Sequence, residues 1–179
     1  GRESRGVIGQ QPCRYSLAGS GGIAYRHARE LQGRANAGGE IGGMKIEYED
    51  MDDASPQRGN WDPAIEAQNA NKAARDESVI GYIGTYNSGA SKISMPILNK
   101  AGLVMISPGN TYPGLTKPGL GEANEPRIYR PSGKINYFRV VPTDDLQGRV
   151  AADWAKELGV KSINLLDDRE LYGKGIADV

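Results

Sequence analysis

Residues 78–116 read SVIGYIGTYNSGASKISMPILNKAGLVMISPGNTYPGLT, and this stretch restricts the fold more than any other. An apolar run at 79–83 is followed by a Gly/Ser turn. A helical pattern comes next, with Ala90, Ile93, Ile97 and Ala101 on one face, and then a second apolar run at 103–106. Two strands joined by a helix form a βαβ unit, whose strands are parallel and whose crossover is right-handed. The loops after both strands, YNSGAS and SPGNTY, therefore open on the same edge of the sheet, where open α/β folds bind ligands. Those loops hold small polar residues rather than acids, bases or thiols, which is chemistry for binding rather than for bond making.

The flanking segments extend the pattern. Residues 44–49 alternate apolar and polar side chains, as a half-buried strand does, and the Ala-rich stretch 60–76 is good helix material. Asn87 or Ser88 can cap the 88–101 helix, Pro96 is expected to bend or break it, and Gly102 to end it. Pro and Gly recur from 113 to 133, marking an irregular excursion. A strand is predicted at 137–141. Leu146, Val150, Ala151, Trp154 and Leu158 form an apolar helical stripe, capped by Thr143, Asp144 or Asp145, and 162–166 reads as another strand. The order predicts an α/β fold, a doubly wound parallel sheet with helices on both faces.

Composition excludes several functions. The chain carries 22 basic and 22 acidic residues, so it has no basic stripe for phosphates, and nucleic acid is not an expected partner. Its longest apolar runs are far short of the roughly 20 residues of a membrane helix. Cys13 and His27 are the sole cysteine and histidine, which removes an intrachain disulfide and any thiolate zinc site. The acidic run Glu47, Glu49, Asp50, Asp52, Asp53 lacks the order of a calcium loop. No metal or cofactor is expected, no nucleophile–base pair emerges, and the opening GRESRG lacks the layout of a signal peptide. One nucleotide motif competes: GSGGIA at 19–24 fits G-x-G-x-x-A, with Asp50 to Asp53 as a possible ribose acid. The fingerprint needs a strong strand directly before it, which 10–16 does not supply.

From about residue 42 to Val179 the chain resembles the type I periplasmic substrate-binding proteins of branched-chain amino acid ABC transporters. The resemblance is carried by KIEYEDMDDASP, the 78–116 stretch, YFRVVPTDDLQG and AADWAKELGVKSINLLDDRELYGKGIADV, in the family's order and spacing. It implies a first ligand-binding lobe over 1–141 and an incomplete second lobe over 142–179, in a protein about twice this length. Residues 1–37 fit poorly: GVIGQQPCRYS has only Val7 and Ile8 as an apolar element, and 23–36 lacks a wide apolar stripe. The family's first strand and helix are therefore not expected there. The resemblance further implies an extracytoplasmic protein, not an enzyme. Such a protein captures a small branched-chain or other aliphatic amino acid by lobe closure and delivers it to a membrane permease.

Candidate site residues follow from both readings. Ser88 stands at a helix N-terminus, where free N–H groups and the dipole favour a carboxylate, and Gly89 lets a ligand approach the backbone. By spacing alone Ser88 is an ordinary capping serine; the resemblance makes it the seat of the ligand's α-carboxylate. In SPGNT the Gly109 carbonyl and the Thr111 hydroxyl can accept from an ammonium group, or the loop can be a plain Pro-Gly turn. Tyr86 is a possible pocket wall. The resemblance places Tyr172, in RELYGKG, over the ligand from the second lobe. A Rossmann-type nucleotide-binding enzyme and a fragment that binds nothing remain the alternatives.

Overall fold

The computed structural model describes residues 7–11, 40–41, 44–45 and 48–179. Its centre is a five-stranded parallel sheet. In chain order the described strands are β1 (Val7–Gln11), β2 (Glu40–Ile41), β3 (Met44–Lys45), β4 (Tyr48–Asp52), β5 (Ala54–Ser55), β6 (Asn60–Trp61), β7 (Gly81–Ile83), β8 (Met105–Ser107) and β9 (Tyr137–Arg139). The main sheet runs β4-β1-β7-β8-β9, while β2–β3 and β5–β6 are two-residue antiparallel pairs. All four pairings in the main sheet are parallel. In chain order its strands stand 2-1-3-4-5, the doubly wound arrangement whose order reverses beside β1.

Two expectations are corrected here. The strand predicted over 44–49 divides: Met44–Lys45 pairs with Glu40–Ile41, and the strand of the main sheet is Tyr48–Asp52. Alternation over 44–49 is equally compatible with a short hairpin arm, and the partner settles which is formed. Residues 7–11, expected to lack the family's first strand, form one. Val7 pairs with Tyr48 on one side and with Gly81 on the other, so β1 is internal to the sheet. Five residues with only two aliphatic side chains suffice because neighbours on both sides satisfy the strand's backbone groups. Residues 23–36, where the family's first helix is not expected, and the GSGGIA motif lie outside the described residues.

Helices α1 (Pro63–Arg75) and α2 (Ser88–Ala101) pack on one face of the sheet. The Asp62 carboxylate caps α1 by accepting from the Ala64 N–H at 2.8 Å, and Pro63 occupies the first helical position. Helix α2 is continuous through Pro96 rather than broken there. It ends as the sequence predicts, at Gly102 in the left-handed region (φ 72°). Register explains the core: Tyr82, Met105 and Tyr137 are successive partners across β7, β8 and β9, and all three are buried. They meet Ala70 and Ala73 of α1 and Met95 and Leu98 of α2. The partners of opposite parity, Ile106 and Phe138, stay exposed, so among the described residues helices cover one face only, not both.

Beyond β9 the chain forms α3 (Asp144–Glu157) and α4 (Leu171–Ala177). The predicted stripe is present on α3, yet Leu146, Val150, Trp154 and Leu158 are all more than half exposed. Residues 162–166 form no strand, and Leu166 is 96% exposed. A strand needs a neighbour for its backbone groups, and no described strand lies in this part of the chain.

One buried acid gives the first pH prediction. Asp53 is 3% exposed, and burial, helped by the charge of Asp52, pushes its carboxyl up to about 7. A raised carboxyl keeps its proton in the folded state where the unfolded chain has lost it, so stability falls as pH rises from about 4 to about 7. Asp53→Asn should remove that slope and raise the melting temperature at pH 8 by about 4 °C or more. Thermal melts at pH 5 and 8 check this; an unchanged slope in the variant rejects the role of Asp53.

Candidate functional site

The carboxyl edge of the sheet is organised by the loops after β7 and β8, which polar side chains stitch together. The Ser107 hydroxyl donates to the Thr85 carbonyl at 2.7 Å and accepts from the Asn110 N–H at 2.9 Å. Asn110, fully buried, donates to the Tyr86 carbonyl at 2.9 Å and accepts from the Tyr137 hydroxyl at 2.8 Å and from Ser91. The Thr85 hydroxyl donates to the Asn87 carbonyl at 2.7 Å and lies 2.9 Å from the Ser91 hydroxyl. Each buried polar atom in this knot has a partner, so the two loops hold one relative position rather than two independent ones.

This knot brings four of the five sequence-selected residues together. Ser88 is the first residue of α2, with Asn87 as its N-cap, and its buried hydroxyl accepts from the Tyr112 N–H at 3.4 Å. Accepting there leaves the hydroxyl's own hydrogen to donate. Gly109 lies under the Tyr86 ring: a Cβ at position 109 would stand 3.0 Å from Tyr86 Cδ2. Thr111 lies between Asn110 and Tyr112 in the same loop. Gly89 packs against the Trp61 indole, so tightly that a Cβ there would lie 2.6 Å from Cζ2. Tyr172, on α4, is 44% exposed and makes none of the hydrogen bonds that join the others. Helix α4 approaches this edge through Gly175, whose added Cβ would lie 2.8 Å from Tyr112 Cδ2.

Sequence reading missed the residues behind the loops. Arg139 donates to the carbonyls of Asn110 (3.2 Å) and Tyr112 (2.8 Å) and to the Thr116 hydroxyl, so the guanidinium threads the loop that carries Thr111. Burial lowers its pKa, opposed by Tyr137, Asp144 and Asp145. Its signal was available: Arg139 shares a strand face with buried Tyr137, two residues away, an unusual place for a charge. Asp144 is completely buried at the start of α3. A shallow groove along α1, lined by Asn71, Lys72 and Arg75 among others, includes none of these residues. Among the described residues no cluster of His, Cys, Asp or Glu is placed to hold a metal, and no helix is long and apolar enough to cross a membrane.

Known proteins give this geometry a context. Residues 14–179 match the family described as periplasmic binding protein. A Leu/Ile/Val-binding protein homologue of Brucella abortus is 33% identical over 144 residues, 80% of this chain and 33% of the relative. The branched-chain amino acid transporter substrate-binding protein LivJ of Streptococcus pneumoniae, solved with isoleucine, superposes with a TM-score of 0.71 at 24% identity, covering 99% of this chain and 45% of that one. A solute-binding protein of an ABC transporter from Rhodopseudomonas palustris, solved with benzoate, gives 0.69 at 18% identity, covering 99% and 43%. The two structural likenesses show the fold. The chain spans a third of the curated relative and less than half of either solved chain.

Proposed function

The chain belongs to the periplasmic binding protein family, and we propose that it supplies the first lobe and the start of the second lobe of a solute-binding protein. The solute we propose is a small branched-chain or other aliphatic amino acid, delivered outside the cytoplasm to the membrane permease of an ABC transporter. The role is capture rather than catalysis. The observation that carries this reading is the locked pair of loops at the carboxyl edge, which sets a hydroxyl donor at a helix N-terminus (Ser88) beside a loop of acceptors (Gly109 and Thr111). A zwitterion needs both kinds of group a few ångströms apart, and a helix N-terminus favours its carboxylate.

The division at residue 141 into two lobes belongs to this proposal. The exposed stripe on α3 supports it, since a helix with four large apolar residues in water lacks the layer it is built to cover. Closure of the second lobe over the first would bring Tyr172 to the ligand, with binding free energy biasing the closed state. Calorimetry on the intact protein with leucine, isoleucine and valine tests the reading. Binding of at least one with a Kd of about 10 μM or tighter is expected. No heat with any of them, against a clear signal with benzoate or NAD, would assign the site to another solute or to a nucleotide.

A further inference from the structure

The space that a glycine leaves at the start of α2 is filled by a tryptophan from another loop. Gly89 is the second residue of that helix, and a Cβ on it would stand 2.6 Å from Cζ2 of Trp61 and 3.1 Å from Cη2. Its helical backbone does not ask for glycine, which is a poorer helix former than alanine. The contact with the indole does. Trp61 is itself firmly placed, only 7% exposed. It pairs with Ala54 in the β5–β6 hairpin, and Asp62 beside it donates its N–H to the Asp53 carbonyl at 2.7 Å and caps α1. The hairpin turn closes through the Gly59 N–H on the Ser55 carbonyl at 2.9 Å, with Gly59 in the left-handed region (φ 61°). The Arg58 guanidinium carbon stands over the indole, 5.9 Å from the ring centroid. A hairpin that follows β4 thus reaches the helix that follows β7, two strands away in the sheet.

Gly89 adjoins Ser88, and both belong to the first turn of α2, whose N–H groups have no partner inside the helix. We propose that Trp61 is a positioning residue for the carboxylate of the bound solute, its indole fixing the first turn of α2 through Gly89 and keeping water from one side of it. This inference rests on the amino-acid reading above. Trp61 does not touch the solute; it acts on the groups that do. Two physical effects follow from the contact. Donors already held in place lose less freedom when the solute arrives, so more of their interaction appears as affinity. A ring in place of water also lowers the local dielectric, which strengthens the attraction between a helix N-terminus and a carboxylate.

The test is calorimetry on the intact protein with leucine, with a thermal melt of every variant. Trp61→Ala should weaken leucine about tenfold, the part of a charge-assisted hydrogen bond that a loosened and hydrated turn forfeits. Gly89→Ala should also weaken it about tenfold, because the ring or the turn has to move to admit the methyl group. In the double variant that methyl meets no ring, so leucine should bind within about twofold of Trp61→Ala alone, where independent effects would multiply to about a hundredfold. An indole that only supports the fold would lower the melting temperatures and leave the Kd of the folded variants at the wild-type value. That result, or a hundredfold loss in the double variant, overturns the inference. Should Trp61→Ala fail to fold, Trp61→Leu takes its place, and unchanged leucine affinity in either single variant overturns the inference. A wild-type protein that binds leucine and keeps its affinity through these substitutions rejects this inference alone. One that binds none of leucine, isoleucine and valine rejects the amino-acid reading beneath it as well.

Discussion

Replacing Glu125 with Leu should destabilise the fold by about 3–5 kcal/mol. Glu125 is 6% exposed and is the centre of the 113–133 excursion. Its carboxylate pairs with Lys92 at 2.8 Å, accepts from the Tyr112 hydroxyl at 3.0 Å and the Glu122 N–H at 2.8 Å, and is bonded by Tyr129. Gly114 and Gly121 make room for it: a Cβ at either position would lie 2.2 Å from Oε2. Leucine would leave an ammonium and two phenols without their partner in a closed space. Burial alone would raise the Glu125 carboxyl, but Lys92, Tyr129, the Glu122 N–H and Tyr112 outweigh it and hold the carboxyl below its usual range. Burial and the same carboxylate push the Tyr112 phenol up to about 12.

The sign of the accompanying pH effect follows. A carboxyl depressed in the folded state contributes stability that is present above its unfolded pKa, about 4.3, and is lost as pH falls through the folded value. Wild type should therefore lose stability below about pH 4 more steeply than Glu125→Leu. Urea denaturation at pH 3 and 7 measures both effects. A loss under 1 kcal/mol at pH 7 would show that the Glu125 cluster is dispensable.

The sheet and its two loops show where sequence reading succeeds and where it stops. Strands β7 and β8 and helix α2 were legible because their apolar spacing, the Gly102 stop and the two polar loops all point to one arrangement. Their parallel pairing with β9 follows from the crossover rule. Strand β1 was not legible: VIGQQ has little β-forming signal, and only the two flanking strands make it an internal strand of the sheet. The strand predicted at 162–166 failed for the reverse reason, with strong local propensity and no neighbour to pair with. In the site, Ser88, Gly109 and Thr111 were legible from loop position, and Arg139 could have been found from its place on a buried strand face. Asn110, Ser91 and Asp144 were not legible, because their importance lies in contacts across 19 to 33 residues of chain, such as the bond from Ser91 to Asn110 and the backbone link from Asp144 to Thr111.

Ser88 is where the binding proposal is most exposed to experiment. Its hydroxyl accepts the Tyr112 N–H and has one hydrogen left, at the end of a helix whose first N–H groups are unpaired by the helix itself. If that hydrogen meets a ligand carboxylate, Ser88→Ala removes a charge-assisted hydrogen bond of about 1.5–3 kcal/mol, and leucine affinity in the intact protein should fall roughly ten- to hundredfold. The weak bond to Tyr112 is lost as well, so thermal stability is expected to change by under about 1 kcal/mol, small beside the affinity effect. The loss should be shared by leucine and 4-methylpentanoate, which has the same alkyl chain and carboxylate but no amine, since both present the carboxylate. Unchanged affinity for both ligands in Ser88→Ala would move the carboxylate away from the α2 N-terminus, and with it the proposed orientation of the solute between the two loops.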